Sequence, residues 1–139
     1  MRVVFDTNVL VAGSRSRNGA SYKLISLLPS NKFELAISVP LYLEYLDVLT
    51  RKENIPPGLN KAEVVAFVRE ILSYSHKQGI YFRWRPTLRD PSDDFVLELA
   101  IASQSSHIVT FNTKDFDNIE LFGIEAIYPS EFLKMVKDL

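Results

Sequence analysis

The sequence predicts an α/β domain of three layers, α/β/α, built on a central, mostly parallel five-stranded sheet. Two observations carry this. Five short runs rich in apolar and aromatic residues recur along the chain. The first of them, Val3-Val4-Phe5, is apolar without alternation, as expected of a strand covered on both faces. Most of the intervals between the runs carry helical periodicity, so successive strands are joined by crossovers that return the chain in parallel.

Taken in order, Val3-Val4-Phe5 forms the first strand and Ser14-Arg15-Ser16-Arg17-Asn18-Gly19 a polar, basic loop after it. Ala20 to Leu28 is apolar at helical spacing and is closed by Pro29. Phe33 to Ser38 alternates weakly and reads as the second strand. Pro40 suits the first turn of a helix running from Leu41 to about Arg51. After the break at Pro56-Pro57-Gly58, Asn60 can cap a helix with Glu63 three residues on; Val64, Phe67, Val68, Ile71 and Ser75 share one face, and Gly79 ends it. That face can serve a core or a pairing surface equally well. Ile80 to Trp84 is the expected third strand. Asp90-Pro91-Ser92-Asp93 starts a helix from Asp94 to about Ser105. His107 to Phe111 and Ile124 to Tyr128 are the fourth and fifth strands, and a last helix begins at Pro129 or Ser130.

With 139 residues and no repeat, low-complexity tract or linker, residues 1–139 are expected to form a single domain. Such a chain can bury roughly two-thirds of its unfolded surface, enough for a core without staples. The absence of cysteine excludes disulfides, thiolate metal sites and a Cys nucleophile. The start lacks the long apolar segment of a secretory signal, and no apolar run approaches the ~20 residues needed to span a bilayer. A cytoplasmic protein with no membrane association is expected. Net charge is −1, but residues 1–89 hold 13 Lys and Arg against 7 Asp and Glu, whereas residues 90–139 hold 3 against 10. If the two halves meet at a cleft, the basic groups can hold a polyanion while the acids hold a divalent cation.

Four acidic positions fall near the carboxyl ends of strands or at helix starts, where open α/β sheets form their sites. Asp6 ends strand one, Glu44 lies about a turn into the helix after strand two, Asp94 opens its helix and Asp115 follows strand four. Each alone has a plainer reading. Asp6-Thr7-Asn8 can cap a helix; Glu44 can be a solvated helix position; Asp90, Asp93 and Asp94 are favoured near a helix N-terminus. Together they suit a hard cation, Mg²⁺ or Mn²⁺, which would activate water and stabilise phosphoryl charge. Other chemistries lack a foothold: there is no Gly-x-Ser-x-Gly, no phosphate-binding glycine loop, and neither His76 nor His107 has a catalytic context. A haloacid-dehalogenase-type phosphatase also starts with a strand-end Asp, but needs a second Asp where this chain has Asn8.

The ordered set resembles the PIN-domain family across the whole chain, most of all the variant that forms toxin components of toxin–antitoxin pairs. The resemblance rests on Asp6-Thr7-Asn8 followed by Val9-Leu10-Val11, on Ser38 through Glu44 to Val48-Leu49, and on Asp90-Pro91-Ser92-Asp93-Asp94 leading to Thr110-Phe111-Asn112 and Lys114-Asp115-Phe116. Ile127-Tyr128-Pro129-Ser130-Glu131-Phe132-Leu133 resembles the family's last strand and helix. It implies a PIN-like fold and a metal-dependent endoribonuclease that cleaves RNA phosphodiester bonds by in-line attack of metal-activated water, with Mg²⁺ or Mn²⁺ as cofactor. It further implies a cognate antitoxin protein and a homodimer. Asp6, Glu44 and Asp94 would be the catalytic, metal-binding triad; Asp94 is preferred to Asp93 because its 16-residue distance to Thr110 fits the family spacing. Thr7, Asn8, Thr110 and Asn112 would stand behind the triad, with Thr7 and Asn8 orienting Asp6 or meeting phosphate. The fourth acidic position of many members falls on Asn112 here, so either Asn112 or Asp115 completes the metal site. Arg15 and Arg17, expected near the catalytic edge, would contact RNA, as would Arg83, Arg85 and Arg89. The alternative is a noncatalytic PIN-like module that binds RNA or protein.

Overall fold

The computed structural model describes residues 1–80 and 91–138, with backbone alone for Pro91 and Ser92. The chain runs β1 (Arg2–Phe5), α1 (Thr7–Arg15), α2 (Ala20–Ser26), β2 (Glu34–Ile37), α3 (Val39–Leu49), α4 (Lys61–Ser73), β3 (His76–Lys77), α5 (Pro91–Ala102), β4 (His107–Val109), β5 (Glu125–Ile127) and α6 (Pro129–Lys137). The strands form one five-stranded sheet in the order β3-β2-β1-β4-β5, and every pairing among the described residues is parallel.

This order positions the site. From β1 the chain steps to β2 and β3 on one side, then α5 carries it back to β4 on the other side of β1. With right-handed crossovers, the reversal puts α1 to α4 on one face and α5 on the other, which gives the three layers. α5 packs across β1, β2 and β4, while α1 packs on α2 and α3, and α6 returns against α2. Because the chain leaves β1 and β4 in opposite directions across the sheet, the connections after their carboxyl ends part there and leave a crevice, the position at which such sheets bind ligands.

The apolar runs supply the core. Val3, Val4 and Phe5 are wholly buried, as are Leu35, Ala36, Ile108 and Val109. Phe33 stacks between Phe5 and Phe132 with ring centroids 5.8 Å and 5.3 Å apart, tying β1 to α6. In α4, Val64, Val68 and Ile71 are buried and Phe67 packs against the core, so that face is spent inside the fold. Its Asn60–Glu63 capping box forms as the sequence predicts, with Glu63 N–H to Asn60 Oδ1 at 2.9 Å. Among the described residues no helix is long and apolar enough to cross a membrane.

Two expectations are corrected. The segment after strand one is not loop from Ser14: α1 runs through Ser14 to Arg15, and the loop starts at Ser16. Among the described residues the third strand is His76–Lys77; Ile80, where the expected strand begins, lies in no strand, and its residues 81–84 fall outside the described residues. The cause is that α4 stops at Ser73, six residues before Gly79. The Ser75 hydroxyl and Lys77 ammonium donate to the carbonyls of Ile71 and Leu72 at 2.7 Å and 3.1 Å, satisfying the helix end. The freed backbone then pairs with Ala36 and Ile37.

Candidate active site

Asp6 occupies the crevice. Its backbone N–H still donates to Val109 C=O at 2.9 Å, one residue past β1, and the chain then turns into α1 with Asp6 as the N-cap. Helix caps usually serve the second or third N–H of the helix; here Asp6 Oδ1 accepts from the first, that of Thr7, at 2.9 Å. The other oxygen stays aimed across the crevice, where Oδ2 accepts from the Thr110 hydroxyl at 2.7 Å and from Asn8 Nδ2 at 3.4 Å. Asp6 is thus both helix cap and crevice carboxylate.

Glu44 arrives from β2. Ser38 caps α3, its Oγ accepting from Leu41 N–H at 3.3 Å, and Glu44 follows a turn later, half-buried. Its Oε2 accepts from the Thr7 hydroxyl. Thr7 therefore bridges the two acids, its amide to Asp6 and its hydroxyl to Glu44. That sharpens the expectation that Thr7 orients Asp6. The neighbouring Tyr45, wholly buried, donates its hydroxyl to the Phe5 carbonyl and so fastens α3 to the end of β1. Sequence reasoning passed over Tyr45, whose only signal was a polar tip on an apolar helix face beside an acid.

From β4 comes Thr110, wholly buried; besides donating to Asp6, its hydroxyl accepts from Asn112 N–H at 3.0 Å. Asn8 Oδ1 accepts from Phe111 N–H at 3.4 Å, so the segment after β4 is braced against α1. Asn112 C=O receives Asp115 N–H at 3.0 Å, which starts a 3₁₀ turn over Thr113–Phe116 and brings Asp115 back toward the crevice.

The electrostatics record this proximity. The Asp6 carboxyl is raised above its ordinary value, first by burial and then by the charges of Glu44 and Asp115, while the bonds from Thr110 and the Thr7 amide act in the opposite direction. Tyr45 is pushed well above its ordinary value by burial and by Asp6 and Glu44. Asp6 therefore feels the charges of both Glu44 and Asp115. Asp94 is buried in the first turn of α5, with Glu98 buried a turn later on the same face, a carboxylate that sequence reasoning missed although it lies at i,i+4 from Asp94. Among the described residues no three acidic or histidine side chains converge closely enough to hold an ion as they stand. The donors that do gather are all oxygens, the set that suits a hard cation, and their mutual repulsion is what such a cation would relieve.

The basic residues stand elsewhere. α1 carries Arg15 about 12 Å along its axis from the crevice end, so neither Arg15 nor Arg17 sits at the carboxyl edge. Arg15 donates to Glu53 C=O at 3.2 Å and Asn54 Oδ1 at 2.7 Å, and Arg17 lines a cleft between α2 and α4. Arg83, Arg85 and Arg89 lie outside the described residues. His107, at the opposite edge of the sheet, contacts Ser106, Glu125 and Phe132 and takes no part in the site.

The sequence model of a family described as PIN domain matches residues 2–114. No curated protein matches the chain. Among solved structures, the chain is similar in fold to one in the crystal structure of VapBC2 from Rickettsia felis bound to a DNA fragment from their promoter. The TM-score is 0.65 at 21% identity, over 91% of this chain and 98% of that one.

Proposed function

We propose, from the premise that the chain belongs to the PIN-domain family, that it is a metal-dependent endoribonuclease and the toxin of a toxin–antitoxin pair. The observation that carries this is the arrangement around Asp6 where the strand order reverses: it is held by Thr110 and the Thr7 amide, is joined to Glu44 through Thr7, and feels the charge of Asp115. A helix cap has no use for the second acid or for a buried threonine aimed at the cap's free oxygen. A solvated acidic surface would not bury Asp6.

In this reading Asp6, Glu44 and Asp94 hold Mg²⁺ or Mn²⁺, with Asp115 rather than Asn112 as the further acid, since Asp115 acts on Asp6. The ion would supply Lewis-acid stabilisation of phosphoryl charge and a water of lowered pKa. The chain's own residues do the positioning. Thr110 and the Thr7 amide aim the two Asp6 oxygens, the Thr7 hydroxyl fixes Glu44, and Asn8 ties Asp6 to the Phe111 backbone. An RNA strand leaving the crevice along α1 would meet Arg15 about 12 Å on and Arg17 just beyond the helix end, where they contact phosphate. The fold shared with a chain of VapBC2, seen bound to a fragment of its promoter, supports a cognate antitoxin as partner. A pairing of two copies and a cytoplasmic setting complete the proposal. The alternative, a noncatalytic PIN-like module, would have Asn112 where many members carry a fourth acid; the charge of Asp115, felt by Asp6, supports the catalytic reading instead.

The test is cleavage of RNA oligonucleotides by the wild-type chain and by Asp6→Asn, with Mn²⁺, Mg²⁺ or EDTA. Cleavage that requires the metal and is lost in Asp6→Asn is expected. Cleavage surviving either change refutes the mechanism.

A further inference from the structure

An exposed aromatic ring beside the crevice has no role in the fold. Phe111 follows Thr110 directly, yet its side chain is 43% exposed, is not among the apolar groups packed on the core, and makes no ring–ring contact among the described residues. Its backbone is held from both sides. Its own N–H goes to Asn8, whose amide also reaches Asp6, and the next N–H, that of Asn112, goes to the Thr110 hydroxyl that binds Asp6. The ring is therefore presented to solvent at a position fixed relative to the Asp6 carboxylate. A second aromatic, Tyr128, 41% exposed, leaves the same edge of the sheet one strand over: Thr110 N–H pairs with Ile127 C=O at 2.9 Å, immediately before it. Lys114, exposed, lies in the turn that follows Phe111.

We propose that Phe111, with Tyr128 at the same edge of the sheet, is the platform on which an unpaired base stacks next to the reacting phosphate, so that the site selects single-stranded over paired RNA. This inference rests on the nuclease reading above and adds to it a residue that sets specificity. Aromatic faces interleaved with a basic group are how proteins hold single strands, because every base has a π-face and a paired base in a duplex does not offer it. The exposed groups on the other flank, Val39 and Leu43 of α3, are aliphatic and have no such face. Because the Phe111 backbone is already ordered, stacking on it costs little further entropy.

The experiment measures binding of a fluorescent RNA oligonucleotide by anisotropy in the cleavage-deficient Asp6→Asn chain, as a single strand and annealed to its complement. Phe111→Ala is expected to weaken single-strand binding by about tenfold or more, the scale of one lost base stack, with little effect on the duplex, whereas Phe111→Trp restores it. A single abasic nucleotide in the strand should reproduce the loss, and should add nothing to Phe111→Ala. Single-strand affinity within twofold of the parent in Phe111→Ala overturns the proposal, as does an abasic penalty that persists without the ring. A parallel cleavage assay with Asp6 intact separates the two claims. Cleavage without a Phe111 effect on binding defeats only the platform; a Phe111 effect without metal-dependent cleavage defeats the nuclease reading and leaves the platform standing.

Discussion

Replacing Thr110 by Val keeps the shape of a wholly buried side chain and deletes one hydroxyl. That hydroxyl makes two bonds, donating to Asp6 Oδ2 at 2.7 Å and accepting from Asn112 N–H at 3.0 Å. A hydrogen bond to a charged group contributes about 1.5–3 kcal/mol, and the exposed Asn112 segment can turn its N–H to water. The expected loss is therefore about 2 kcal/mol at neutral pH, or roughly 6 °C in Tm for a domain of this size. The loss should depend on pH. Asp6 is raised above its ordinary 3.8, so between 3.8 and its native value the folded chain holds a proton that the unfolded chain has released, and stability falls as pH rises through that window. Losing Thr110, one of the groups that lowers Asp6, extends the window upward, so the difference between variant and wild type should be larger at pH 7 than at pH 4. Mn²⁺ affinity measured by calorimetry should drop about ten- to hundredfold, the usual cost of removing a group that orients a ligand. Thr110→Ser keeps the hydroxyl and should stay near wild type. A Val variant as stable as wild type at pH 7, or a Ser variant as damaged as Val, would refute the reasoning.

Tyr45→Phe strands the Phe5 carbonyl without its hydroxyl donor in the core and should cost about 1–2 kcal/mol in urea denaturation; an unchanged midpoint would mean the bond contributes nothing. His107 is lowered, chiefly by burial, with Glu125 opposing. The unfolded chain therefore takes up that proton first, and stability, full above about pH 6.5, falls as pH drops from there toward the native value. His107→Gln should flatten this acid-side slope in melting curves between pH 7.5 and 5.5. Removing the charges of Arg15 and Arg17 together should lower RNA affinity and flatten its dependence on salt, and an unchanged salt slope would take them out of the RNA path.

The legible parts of this fold were those encoded locally. Val3-Val4-Phe5 announces a strand covered on both faces, and Asn60 with Glu63 announces the start of α4. β3 could not be read, because two residues show no periodicity and His76–Lys77 becomes a strand only through pairing with β2. The acids were legible as types at strand and helix ends. Their coupling was not, since Thr7 joining Glu44 to Asp6 spans 37 residues and the Thr110 bond to Asp6 spans 104. Arg15 and Arg17 are not legible as distant from the catalytic edge, because Asp6-Thr7-Asn8 marks a possible helix start but Val9 to Ser14 does not show that the helix runs on to Arg15.

That early start is also what the site depends on. Had a loop followed β1, Asp6 would be free to turn toward water and relieve its repulsion from Glu44 and Asp115. Because α1 begins at Thr7, one Asp6 oxygen is held by the helix's first N–H and the other can only face the crevice. The second constraint comes from the far side of the strand reversal, where Thr110 is itself fixed by the ladder to β5. A buried carboxyl raised above its ordinary value and held in place carries a desolvation cost that a bound cation would relieve. The bonds that hold Asp6 in place also make it ready for a cation, since little of the site must be ordered when one arrives. Adding Mn²⁺ should therefore raise the Tm of the wild-type chain more than that of Asp6→Asn, and equal shifts would show that the cation is held elsewhere.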